Sequence, residues 1–187
     1  NGNAQDATVN VKDGTATGVS YVAGATGQAL SLNGVIGNGI RLPDSMTVSN
    51  ILTISLSFKT STSGVLMGHS NALHPSNPAL WDPFLYVDTN GKLRGGDYAG
   101  SLPNYVSSNS VNDNVWHQAV WVGNTSSQSL YLDGVLVGTY AGTLSMSGMI
   151  YNYIGMGYWD NWPSSGSMWS TLNGSIDEVS ISSNARD

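Results

Sequence analysis

The chain has 187 residues, no cysteine, and a formal net charge of −6 although only 10% of its residues are charged. Its six Lys plus Arg are scattered, so no basic patch can neutralise a row of phosphates, and nucleic acid and anionic membrane are excluded as partners. The missing thiols exclude disulfides, thiol catalysis and cysteine-ligated metal, and no apolar run approaches the ~20 residues of a membrane helix.

Taken in order, Asn1–Tyr21 is polar, with one weak strand predicted around Ala7–Val11. Ala29–Leu32 and Gly39–Leu42 read as short strands joined through the glycine-rich Asn33–Asn38. Ile51–Lys59 alternates, with Leu52, Ile54, Leu56 and Phe58 on one face, and predicts a half-buried strand. Gly64–His69 is another strand. Ser70–Pro83 reads as a long irregular loop, because Pro75, Pro78 and Pro83 oppose regular pairing. Phe84–Asp88 and Lys92–Asp97 form a hairpin around Asn90-Gly91. A second loop, Tyr98–Asn104, leads to a strand at Tyr105–Ser107.

Val115–Tyr140 is the organising stretch. Val115–Val122 carries large apolar groups on both alternate faces, which suits a strand covered on both sides. Trp116 is expected in the core, and Trp121 either in the core or on a ligand face. Ser129–Leu132 and Val135–Tyr140 flank Asp133-Gly134, a dipeptide that supplies the positive φ of a two-residue hairpin. Ile150–Gly157 is a strand, Tyr158–Thr171 a long aromatic loop, and Leu172–Ile181 the closing strand. There is no helix of normal length, no repeat and no linker. One all-β domain over 1–187 is the expected organisation.

The rings of Trp81, Tyr98 and Tyr105, with His74, Asp82 and Asp97 nearby, suggest a stiffened apolar platform for the C–H face of a sugar, oriented by polar neighbours. Counting strands alternately puts the Ser70–Pro83 and Tyr98–Asn104 loops at one end. It puts Tyr158–Thr171, with Trp159, Asp160, Trp162 and Trp169, at the other, unless that loop folds back. Three tryptophans in one loop exceed what capping a sheet edge requires. Catalysis lacks its constellation. Glu178 is the single glutamate, and Asp177 points to the opposite face of the same strand. His69, His74 and His117 have no zinc spacing, and no serine-triad order is visible.

The ordered segments Tyr21–Gly34, Ile40–Ser45, Ile51–Thr60, Val111–Val122, Leu130–Gly138, Ile154–Gly157 and Leu172 to the C-terminus resemble a laminin-G-like domain of the concanavalin A-like jelly-roll superfamily, in its bacterial or archaeal extracellular form. The resemblance implies a two-sheet antiparallel jelly-roll β-sandwich. It also implies glycan or polysaccharide binding, adhesion, or assembly with other surface-protein subunits, in an extracellular or cell-surface setting. The expected role is a non-catalytic carbohydrate-binding module. The strand that usually precedes the Asn1–Asn3 region is absent, and the chain stops inside the usual closing segment at Ala185–Asp187, so a domain excised from a longer protein is expected. The resemblance further implies a structural Ca²⁺ held by Asp177 with Asn3 or Asp6, or alternatively a rim calcium drawing on Asp82, Asp97 or Asp160.

Overall fold

The structure is a computed structural model that describes residues 2–184. Asn1 and the Ala185–Asp187 segment lie outside the described residues.

The strands, in chain order, are β1 (Thr15–Thr17), β2 (Ser20–Ala23), β3 (Gln28–Asn33), β4 (Gly39–Arg41), β5 (Leu52–Thr60), β6 (Gly64–Ser70), β7 (Trp81–Val87) and β8 (Leu93–Gly95). They continue as β9 (His117–Gly123), β10 (Ser127–Leu132), β11 (Val135–Ala141), β12 (Tyr151–Ile154), β13 (Met156–Tyr158), β14 (Trp169–Thr171) and β15 (Asn173–Ser182). No helix occurs among the described residues. A six-stranded antiparallel sheet of order β1-β4-β12-β6-β7-β8 faces a seven-stranded one of order β11-β10-β9-β5-β15-β3-β2, with β13-β14 as a small ribbon.

The alternation of β5 becomes its inward face, with Leu52, Ile54, Leu56 and Phe58 all at or below 1% exposure. Removing each of these side chains from water stabilises the fold by about 1.5–3 kcal/mol. They meet Leu66, Met67, Phe84 and Leu85 from the facing sheet in one shared core. Trp121 is fully buried in that core and tilts against Phe84 at 5.1 Å.

Several expected elements differ. Ala7–Val11 and Tyr105–Ser107 form no strand, whereas β1 and β2 do. Ile150–Gly157 is two strands, broken where Gly155 takes φ 77. Trp116 is only half-buried and precedes β9. Its neighbourhood is a turn: the Val115 N–H donates to Asp113 Oδ1 and Asn114 adopts φ 63, which keeps Val115 and Trp116 off the ladder.

The Ser70–Pro83 loop ends earlier than expected, because β7 begins at Trp81. Pairing tolerates Pro83 through a register shift: His69 faces Asp82, yet Met67 faces Leu85, so two β7 residues oppose one on β6. This bulge sets Asp82 directly across from His69.

Every residue of β6 is buried, because the six-stranded sheet is covered on its outer face too. The Tyr158–Thr171 segment folds over that face. Trp159 and Trp162 pack on Val65 and Tyr86, and Trp169 joins Tyr153, Met156 and Tyr158.

Candidate functional site

Trp81 is partly buried between the two outer aromatic clusters. Its ring stands edge-on to Tyr158 at 5.0 Å, and its Nε1–H donates to the Asp160 carbonyl at 3.0 Å. That hydrogen bond brings Tyr158–Thr171 to the same rim as the Tyr98–Asn104 loop, correcting the placement by strand counting. The segments enclose a cleft of about 320 Å³, walled by Trp81, Tyr98, Leu102 and Trp162 and edged by Asp160, Asn161, Ser145 and Ser147. The volume is at the small end of ligand sites, and the lining mixes aromatic rings with short polar groups. No Lys or Arg lines it.

Asp82 lies at the cleft and is 1% exposed. Behind it sits a buried polar cluster. Its Oδ2 lies 3.0 Å from His69 Nε2, and its Oδ1 accepts the Tyr98 N–H at 3.2 Å. His69 Nδ1 contacts Thr47 Oγ1 at 3.1 Å, and the Thr47 hydroxyl donates to Asn152 Oδ1. Asp97 is 0% exposed; its Oδ2 accepts the Ser145 N–H at 2.6 Å, its Oδ1 receives no N–H or hydroxyl, and its carboxyl pairs with that of Asp82. Burial pushes the Asp82 carboxyl up to about 7, with Asp97 and the Tyr98 N–H working against the shift. Burial, then the charge of Asp82, pushes Asp97 up to about 8, and the Ser145 N–H opposes this. Burial pulls His69 down to about 3, partly opposed by Asp97.

Gln128 ties this cluster to the core. Its Oε1 accepts from the Asp97 N–H at 2.8 Å, Trp121 Nε1 at 3.1 Å and Tyr105 Oη at 3.2 Å, while its Nε2 donates to the Asp97 carbonyl at 2.7 Å.

A second groove, of about 350 Å³, lies on the seven-stranded sheet between Thr53, Ser55, Val120, Val122, Tyr131 and Ser180. Tyr131 is its single aromatic, so it offers no facing rings for a sugar.

A laminin-G family model, described as the concanavalin A-like lectin/glucanases superfamily, matches residues 32–187. The chain belongs to this superfamily. Among solved structures, domain 4 of AbnA, a GH43 extracellular arabinanase from Geobacillus stearothermophilus in complex with arabinotriose, is similar over 99% of this chain and 89% of that one, at 21% identity and a TM-score of 0.63. The binding domain of Paraclostridial Mosquitocidal Protein 1 is similar over 98% of this chain and 47% of that chain, at 14% identity and a TM-score of 0.66. A Trypanosoma rangeli sialidase mutant displaying trans-sialidase activity is similar over 100% of this chain and 30% of that one, at 15% identity and a TM-score of 0.66. At these identities the likeness is one of fold. No curated protein matches the chain in sequence.

On this lectin/glucanase-type sandwich, Trp81, Asp82, Tyr98, Asp160 and Trp162 converge on the cleft. Other residues expected with them do not. His74 is half-buried elsewhere, edge-on to Trp169 at 5.2 Å, with its backbone N–H on Tyr153 Oη. Tyr105 points into the core toward Gln128, and Asp97 lies behind Asp82. Trp159 and Trp162 are both 6% exposed and pack on Tyr86, at 6.1 and 6.4 Å; Trp162 also walls the cleft, whereas Trp159 does not and only anchors the loop. Sequence reading missed Ser145, Ser147 and Asn161 at the cleft and His69 in the cluster. For His69 the available signal was its place opposite Asp82 on adjoining strands, which the bulge hides.

Of the residues suggested for calcium, Asp82 and Asp97 come together, whereas Asp177, Asp6 and Asn3 each close on their own neighbours. Asp177 Oδ2 accepts the Thr26 N–H at 3.0 Å and Oδ1 its neighbour Glu178 N–H at 2.9 Å. Asp6 is closed on Thr8 and Lys12, and Asn3 on Gln5. Each Asp177 oxygen already accepts a backbone N–H, and among the described residues neither Asp177 nor Asp6 belongs to a group of three His, Asp or Glu side chains placed to hold a metal ion. Asp177→Ala is expected to lower stability by about 1–3 kcal/mol, since Thr26 and Glu178 lose their acceptor. A urea midpoint measured with and without added calcium checks this; rescue of the wild type by calcium alone contradicts it.

Proposed function

We propose that the chain is a non-catalytic module of an extracellular or cell-surface protein that binds a neutral glycan in the cleft of Trp81, Tyr98 and Trp162. The observation that carries this reading is the convergence of those rings with Asp160, Asn161 and Ser145 at one rim. Aromatic faces take up the C–H surface of a sugar, and the short polar groups fix its hydroxyls. The lining holds carboxylates and no cation, and the whole chain carries −6, which disfavours a sugar acid and favours a neutral pentose or hexose. The similar arabinanase domain that holds arabinotriose supports this class.

The non-catalytic part draws on the carboxylates. Glu178 is exposed on β15, and Asp82 and Asp97 present oxygens within 4.8 Å of each other and are both buried. A glycosidase pair must flank the bond to be cut, and two carboxyls this deeply buried admit no sugar between them.

The test is a neutral oligosaccharide and polysaccharide array, followed by titration of the binders against Tyr98→Ala and Trp81→Ala. Tyr98 is 47% exposed, so its truncation spares the fold. Loss of a stacking ring is expected to weaken binding by roughly 2 kcal/mol, about thirtyfold. Unchanged affinity in both folded variants overturns the assignment of the cleft. A second reading, a protein-binding module of a surface fibre or layer, draws on the edge strand β11, where Val135 and Leu136 are 69% and 53% exposed on its two faces. Concentration-dependent oligomers in light scattering, with a silent array, support that reading instead.

A further inference from the structure

The hydrogen bonds around His69 fix which of its nitrogens carries a proton. Asn152 Nδ2 donates to the carbonyls of Pro43 and Ile150, so its Oδ1 is an acceptor. The single Thr47 hydroxyl proton goes to that oxygen. Thr47 Oγ1 must therefore accept from His69, and Nδ1 is the protonated nitrogen in every charge state. His69 Nε2 and Asp82 Oδ2 then face each other at 3.0 Å with one proton between them at most. Asp97 adds a fully buried carboxyl that receives no N–H or hydroxyl at Oδ1 and is paired with the carboxyl of Asp82. The ligand atoms of His69, Asp82 and Asp97 all lie within 4.8 Å of one another.

We propose that His69 Nε2, Asp82 and Asp97 form a binding site for one divalent transition-metal ion of the zinc or manganese class. One imidazole nitrogen and two carboxylates are the donors such ions take, and the carboxylates cancel the charge of the ion. The 3.0 Å separation of Nε2 and Oδ2 matches an edge of a polyhedron with metal bonds of ~2.1 Å. The ring nitrogen and the small donor number disfavour calcium, which takes six to eight oxygens.

The ligands are held in place from behind. Thr47 orients the imidazole, the Tyr98 and Ser145 N–H groups hold one oxygen of each carboxylate, and Gln128 clamps the Asp97 backbone. The ion displaces the proton between Nε2 and Oδ2 together with the proton Asp97 carries in its neutral form, both released to solvent, and it reaches the cluster from the cleft where Asp82 lies. The site shares Asp82 with the cleft, but its test needs no glycan.

The test is calorimetric titration of the chelator-stripped chain with ZnCl₂, MnCl₂, CaCl₂ and MgCl₂ in separate runs. One equivalent of Zn²⁺ is expected to bind, at least about a hundredfold more tightly than Ca²⁺. Asp97→Asn preserves shape and an acceptor for Ser145, and it should weaken Zn²⁺ at least tenfold while remaining folded by circular dichroism. Thr47→Val should weaken it about tenfold by freeing the imidazole. His117→Gln removes the half-buried histidine that contacts Asp113 and Asp133, and should leave binding unchanged. X-ray absorption of the wild-type zinc complex should show a nitrogen and oxygen shell that includes one imidazole, a readout that needs no variant. No stoichiometric Zn²⁺ binding, calcium binding as tight as zinc, or loss of the zinc site with His117→Gln would each overturn the proposal.

Discussion

Replacing Gln128 by leucine is expected to destabilise the fold by on the order of 4 kcal/mol, near the upper end for a single substitution. Leucine is close to glutamine in size, so the loss comes from hydrogen bonding rather than from a cavity. Oε1 accepts three donors, from Asp97, Trp121 and Tyr105, and Nε2 satisfies the Asp97 carbonyl. All four partners are buried, and each unsatisfied neutral group costs about 1–3 kcal/mol. Part of the loss is recovered as the chain relaxes around the apolar side chain. Urea unfolding of wild type and Gln128→Leu at one pH measures the difference. A loss below about 1 kcal/mol contradicts the view that this glutamine joins the core to the cluster behind the cleft.

The second large effect is that the metal-free chain loses stability as pH rises from about 6.5 to 8. Asp82 and Asp97 titrate near 7 and 8 in the folded chain, above the ordinary carboxylate value of about 3.9. The folded state therefore holds protons that the unfolded state has released. The stabilisation is complete below about pH 4 and is lost as pH passes through the folded values. His69 acts in the opposite sense, because its value near 3 lies below the ordinary histidine value of about 6.5. It opposes the carboxyls between those limits and drops out above pH 6.5. Above that pH the fall is carried mainly by Asp97, on the order of 1 kcal/mol per pH unit up to about pH 8, while the share of Asp82 levels off past about 7. Urea midpoints in chelator should drop from pH 6.5 to pH 8.5, and the drop should shrink in Asp97→Asn. A flat or rising profile contradicts the assignment of protons to this pair.

Much of the sandwich was legible because period-two alternation is a local signal. Leu52, Ile54, Leu56 and Phe58 declare an inward face without reference to any other segment, and Asp133-Gly134 declares its own hairpin. The cleft was legible in its rings but not in its geometry. Trp81, Tyr98 and Trp162 stood out as aromatics in polar segments, yet the Trp81 hydrogen bond to the Asp160 carbonyl joins residues 79 positions apart. Strand counting failed because the Tyr158–Thr171 segment crosses the outer face of the six-stranded sheet. Trp159 and Trp162 bury themselves on Val65 and Tyr86 there. Trp116 misled for a different reason. Its run of apolar neighbours reads as a strand, but the Asp113 side chain captures the Val115 N–H and starts the ladder two residues later. The buried polar cluster was the least legible feature. Its register depends on a bulge at Pro83, a residue that on its own argues against pairing.

The central claim, that the cleft of Trp81, Tyr98 and Trp162 takes up a neutral glycan, is tested most directly by nitrogen-edited NMR of the six tryptophan indoles during titration with a neutral oligosaccharide selected on the array. Trp121 and Trp169 serve as internal references, since their indole N–H groups are held by Gln128 and by the Ser76 carbonyl away from the cleft. The Trp81 and Trp162 signals are expected to shift with the ligand while those two stay fixed. Saturable binding that leaves Trp81 and Trp162 unmoved, with the shifts gathered instead around Val120, Val122 and Tyr131 on the seven-stranded sheet, would contradict the account.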